Sequence, residues 1–160
     1  MQTPETPDAH VEMTFKAQWP FILCVRKFLS SFFLLDLSSR ERAGRIAMAA
    51  SELLENATKY SSNEDGLIRI AVTRRGGEID LVVENPADAR QIEVLRREIV
   101  LINSMAPEET YLRRMHEASQ AGAQGRLGLA RIRFAAGARL HLEAGTRTVA
   151  IHAVFPRKEA

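Results

Sequence analysis

Apolar and polar residues alternate over residues 11–18, with Val11, Met13, Phe15 and Ala17 on one side, and this period of two predicts an edge strand. The period then lengthens. Pro20 suits the first turn of a helix, and Phe21, Val25, Phe28, Leu29, Phe32 and Leu35 follow as an apolar stripe that is expected to face the core. Ser38-Ser39-Arg40-Glu41 has the spacing of a capping box, which starts a second helix at Ser38. That helix is expected to run to about Tyr60, with Ile46, Ala49, Ala50, Leu53, Ala57 and Tyr60 turned inward.

Asn63-Glu64-Asp65-Gly66 breaks the helix. Two alternating runs, 67–73 and 78–83, are joined through Arg74-Arg75-Gly76-Gly77 and predict a hairpin with one buried face. Asn85-Pro86 ends its second strand. Helices are expected over 88–103 and 107–118, a flexible joint at 122–125, and a short helix over 127–135 stopped near Gly137. A second hairpin, 139–143 with 148–155, turns at Gly145-Thr146-Arg147. Helices followed by antiparallel hairpins predict an α+β fold, a two-layer α/β sandwich whose mixed, mostly antiparallel sheet carries helices on one face. One domain, 11–156, is expected between a disordered tail at 1–10 and a short tail at 157–160.

Composition narrows the function. The 160 residues are 46% apolar, enough for a real core, and 22 basic against 20 acidic residues leave a net charge of +2. The basic residues are dispersed rather than striped, so nucleic acid is not an expected partner. The single cysteine, Cys24, excludes a disulfide framework, fits a reducing compartment and is expected to be a small core residue. The most apolar stretch, 21–35, contains Arg26 and Lys27 and falls short of the roughly 20 residues of a bilayer span. With no signal-peptide pattern at the start, a cytoplasmic location without membrane insertion is expected. His10, His141 and His152 lack ligand-like spacing, so zinc is not expected.

The segment with most chemistry is Ser51-Glu52-Leu53-Leu54-Glu55-Asn56-Ala57-Thr58-Lys59-Tyr60-Ser61. At about 100° per residue, Glu52, Asn56 and Lys59 fall within about 60° of one another, a polar stripe beside the apolar one. A carboxylate there can accept a hydroxyl proton, a carboxamide oxygen suits Mg²⁺, and an ammonium suits phosphate. An ordinary amphipathic helix with a Glu–Lys surface carries the same residue types.

The order of residues resembles the GHKL (histidine kinase-like) ATPase superfamily. Ser-Glu-x-x-x-Asn-Ala resembles the N box of the anti-sigma-factor serine kinases, and Asn-Ala-x-Lys-Tyr-Ser that of histidine kinases. Gly125-Arg126-Leu127-Gly128-Leu129-Ala130-Arg131-Ile132 is similar to the family's second Gly box, and the strand from Thr148 to its closing strand. The two helices between the boxes resemble those of SiaB-type protein kinases. The resemblance implies a Bergerat-type ATP-binding fold over 11–156, with ATP and Mg²⁺ as cofactors. It also implies Glu52 as general base, Asn56 as Mg²⁺ ligand, and Lys59 with the Gly125, Arg126, Leu127 and Gly128 loop at the phosphates. Asn85 and Thr148 would lie at adenine. The implied partner is a small antagonist protein, anti-anti-sigma-like or SiaC-like, with room for a homodimer.

The chain departs from the family at both Gly boxes. Asn85-Pro86-Ala87-Asp88-Ala89 stands where Asp-x-Gly-x-Gly is usual, and Arg126 takes the place of a glycine. A Cβ impedes close backbone approach to a ligand, and Arg126 either clamps a phosphate or fills the pocket. Three readings stay open: a Ser/Thr protein kinase of a partner-switch pathway, a pseudokinase that only binds its partner, or the catalytic domain of a split histidine kinase. His116-Glu117 looks like a phosphoacceptor site but lacks a second helix for a dimerisation hairpin.

Overall fold

The computed structural model describes residues 6–36, 39–61, 65–121 and 127–157. Ser38, Gly125 and Arg126 therefore lie outside the described residues, as do the expected joint at 122–125, half of the first tail and most of the second. The elements run β1 (Ala9–Lys16), α1 (Trp19–Asp36), α2 (Arg40–Lys59), β2 (Leu67–Arg75), β3 (Glu78–Pro86), α3 (Ala89–Ser104), α4 (Pro107–Ala121), α5 (Leu127–Ala136), β4 (Arg139–Ala144) and β5 (Thr148–Phe155). The fold is α+β, and the strands form one sheet in the order β1-β2-β3-β5-β4. All four pairings are antiparallel, so the parallel component expected of a mixed sheet is not found among the described residues.

Register gives the sheet two unlike faces. Val11, Val72, Leu81, Ala153 and Leu140 lie in one cross-strand row, and Met13, Ile70, Val83, Ile151 and Leu142 in the next. These rows face the helices, and apart from Val11 their residues belong to the core or pack against it. The alternate positions, among them Glu12, Arg69, Asp80, Glu84, His141 and His152, form a polar outer face, because side chains in a strand alternate sides. Gly76 and Gly77 have φ of 55° and 91°, the two positive values that a two-residue hairpin loop of matching twist requires.

Helix α2 lies at the centre, against β3 and β5 on one side and against α1 and α5 on others. Its cap is Ser39 rather than Ser38: Ser39 is extended (φ −108°, ψ 113°) and its hydroxyl accepts the Arg42 amide at 3.2 Å. Glu41, expected to complete a capping box, instead pairs with Arg45 one turn on. In α3 the full box does form, between Asp88 and Gln91. β1 begins at Ala9, so residues 9 and 10 belong to the sheet rather than to the tail.

The stripe of α1 overlaps the expected one at Val25 and Leu29, with Phe32 packed partly buried against the core, and is otherwise shifted. Ile22, Val25, Leu29 and Phe33 are buried, whereas Phe21, Phe28 and Leu35 are exposed, Leu35 by 90%. A helix with apolar residues on several sides offers several possible stripes, and packing against the core, α2 above all, selects the one that is buried. Cys24, expected in the core, is exposed on the other side of α1. No helix among the described residues is long and apolar enough to cross a membrane.

The α3–α4 pair is tied by Arg114, whose side chain is only 7% exposed and reaches Glu98 at 2.6 Å and Glu117 at 2.7 Å. The Arg114 hydrogen bond holds the Glu117 carboxyl below its ordinary value of 4.5. Truncating one partner of a buried pair leaves the other charge stranded. Arg114→Ala is accordingly expected to cost about 3 kcal/mol in urea unfolding, with part recovered by adding Glu98→Gln. The Glu117 share is present above its unfolded value and lost as pH falls through its lowered folded value, so the gap between wild type and Arg114→Ala narrows in acid.

Candidate functional site

The polar stripe of α2 is graded by its distance from the core. Glu52 is half-buried, Asn56 is 6% exposed, and Lys59, in the last turn, is open to solvent. Leu53 and Leu54 beside them are fully buried, which fixes the rotation of the helix and holds Asn56 inward. The Asn56 carboxamide makes no hydrogen bond among the described residues, although its backbone carbonyl accepts the Tyr60 amide at 2.9 Å. A carboxamide so placed keeps donors and an acceptor for a ligand.

Across from it, near the end of β3, Asn85 is 4% exposed. Its Nδ2 donates to the Pro86 carbonyl at 2.9 Å and to the Tyr60 carbonyl at 3.4 Å, so the amide oxygen is the acceptor that remains. Asn56 and Asn85 line a cleft whose walls are the apolar side chains of Leu53, Ala57, Val83, Leu95 and Ile151. As it stands the cleft does not admit a water molecule. The roomier hollow, about 130 Å³, lies elsewhere, between Arg42, Arg45 and Ile46 of α2 and Gly137, Phe155 and Pro156.

Thr148 opens β5 opposite Pro86, one register position from Asn85, and its hydroxyl lies against Gly145 at the hairpin turn rather than in the cleft. Leu127 is the first residue of α5 and is half-buried, and Gly128, next to it, is buried. A Cβ on Gly128 would stand 2.4 Å from Glu52 Oε2, so the Glu52 carboxylate rests on the backbone of the first turn of α5.

Glu52 has a second partner that the sequence reasoning missed. Arg131 Nη1 donates to Glu52 Oε1 at 2.7 Å, the Glu52 side chain being 17% exposed and that of Arg131 40%. Burial pulls the Arg131 guanidinium down, but the Glu52 charge and the Tyr111 hydroxyl outweigh it and its pKa ends above its ordinary value. The available signal was the spacing: Arg131 follows Gly128 by three residues, which puts both on one side of a helix.

The structure thus brings Glu52, Asn56, Asn85 and Gly128 together, adds Arg131, and leaves Lys59 and Thr148 at the margins. A base that is ion-paired has to give up that partner before it can accept a hydroxyl proton. The arrangement as it stands is a closed apolar slot with two buried amides, beside a carboxylate that is already engaged.

No protein-family description and no curated protein matches the chain in sequence. In three dimensions the chain is similar to one in the crystal structure of the SiaB-SiaC complex from Pseudomonas aeruginosa, with a TM-score of 0.73 over 90% of this chain and 88% of that one. Identity between them is 16%, so the likeness is one of fold.

Proposed function

We propose that this chain is a regulatory protein of the partner-switch kind, one that binds a small antagonist protein and whose α2–β3 cleft takes a nucleotide. The likeness in fold to a chain from a two-protein complex supports the regulatory role. The two buried carboxamides support the nucleotide. Asn56 would hold Mg²⁺ through its amide oxygen, a hard donor of the type the ion prefers. Asn85 would accept from the adenine amino group beside Thr148, and Lys59 with the Gly125 to Gly128 segment would meet the phosphates. Bound ATP would supply a transferable γ-phosphoryl group. Occupancy requires the cleft to widen, since it is too narrow for water.

One observation favours binding over phosphotransfer: the Glu52 carboxylate is held between Arg131 and the first turn of α5. In this state the Glu52 carboxylate is engaged by Arg131 and is not poised to receive a proton. The Ser/Thr kinase reading keeps one point in its favour, because Glu52 and Asn56 lie one turn apart on α2 as a base and a metal ligand would.

Two outcomes are expected. ATP at about 100 times its Kd should stabilise the wild type by about 2.7 kcal/mol through mass action, and by less in EDTA. Asn56→Ala should lose the Mg²⁺ increment while its apo melting curve stays near wild type. No shift at millimolar ATP would remove nucleotide from the proposal. In a radiolabel assay with antagonist proteins encoded beside the chain, partner binding should survive Glu52→Gln and no transfer should exceed background. Transfer by the wild type that vanishes in Glu52→Gln would establish the kinase instead.

A further inference from the structure

The outer face of the sheet holds a cluster unrelated to the cleft. His141 on β4 and His152 on β5 are directly opposed in the antiparallel register. Their rings stack with centroids 4.2 Å apart. Glu143 lies two residues along β4 and so on the same face. One ligand atom from each of His141, Glu143 and His152 can be chosen so that all lie within 4.8 Å of one another.

His152 is held in a specific way. Its Nδ1 faces both carboxylate oxygens of Asp80, on the neighbouring strand β3, at 3.2 and 3.3 Å. Its Nε2 is shut off from water and has no hydrogen-bond partner, and Glu143 Oε2 stands 3.5 Å from it. A buried ring nitrogen without a partner is costly. A carboxylate on Nδ1 places the proton there and leaves a lone pair on Nε2, the arrangement common behind metal-bound histidines.

We propose that His141, Glu143 and His152 form a binding site for a divalent ion of the zinc class, with Asp80 as the residue that positions His152. Two imidazoles and one carboxylate are a donor set of borderline softness, which suits Zn²⁺ over Mg²⁺ or Ca²⁺. Neighbouring ligand atoms of a tetrahedral zinc with bonds of about 2.1 Å stand about 3.4 Å apart, so the cluster needs only a small contraction. Glu143, with a side chain 70% exposed on an edge strand, is free to make it. Three protein ligands leave a position for water. Zinc was not expected from the sequence because His141 and His152 are far apart along the chain; the turn of the β4–β5 hairpin is what opposes them.

The test is zinc titration of the full chain without an affinity tag, in competition with a chromogenic chelator, alongside the visible spectrum of the Co²⁺ form. One equivalent of tightly bound zinc and a tetrahedral Co²⁺ spectrum are expected. His152→Ala and Glu143→Gln should each weaken zinc by about 100-fold, and Asp80→Asn by about 10- to 100-fold, with unchanged circular dichroism. His10→Ala with His116→Ala is the control for the remaining histidines and should leave the affinity as it is. Zinc binding that is absent, or equally strong in His152→Ala and Glu143→Gln, would overturn the site. So would loss of zinc in the His10 and His116 control alone. None of these results bears on ATP, since the cluster lies on the opposite face of the sheet from the cleft.

Discussion

Helix α2 is enclosed by β3 and β5 on one side and by α1 and α5 on others, and Ile46, Leu53 and Leu54 lose all contact with water there. Each of those side chains is worth about 1.5–3 kcal/mol in burial, far more than any single polar contact at the helix surface. The rotation of α2 is therefore set by its apolar residues, and the polar ones go where that rotation takes them. Asn56 is carried into the cleft and Glu52 to its edge. A half-buried carboxylate needs a partner, and α5, which packs on the same helix, supplies one in Arg131 and a close backbone approach at Gly128.

The same packing explains why the cleft is closed. Its walls are core side chains, among them Leu53 and Ile151, and cores pack without gaps unless something fills them. Two amides at the rim give the slot polarity without giving it room. The Glu52–Arg131 ion pair and the tight apolar slot beside it are mutually consistent, because both bring α5 and the sheet in toward α2.

The sheet supports two kinds of chemistry by alternation alone. On β3, Asn85 faces the helices and Asp80 the opposite side; on β5, Ile151 lines the cleft while His152, its neighbour, joins the outer cluster. Neither set can be moved by one register position without exchanging the faces, so the hairpin turns that fix register also fix both sites.

Element types and most boundaries were legible in the sequence, because they rest on local signals. Period-two runs became β2, β3 and β5, Gly76-Gly77 became the tight turn, and the helix expected over 88–103 became α3. The set of residues on the polar stripe of α2 was legible for the same reason, helical spacing being a property of one element. The features that went unread each depend on two elements meeting. Only packing against the rest of the core buried Ile22 and Phe33 in place of Phe21, Phe28 and Leu35 on α1 and left Cys24 outside. Only the approach of α5 joined Arg131 to Glu52, and only strand pairing set His141 against His152. Local periodicity says which side chains share a face; which face is buried, and what stands across from it, is decided by the packing of the whole chain.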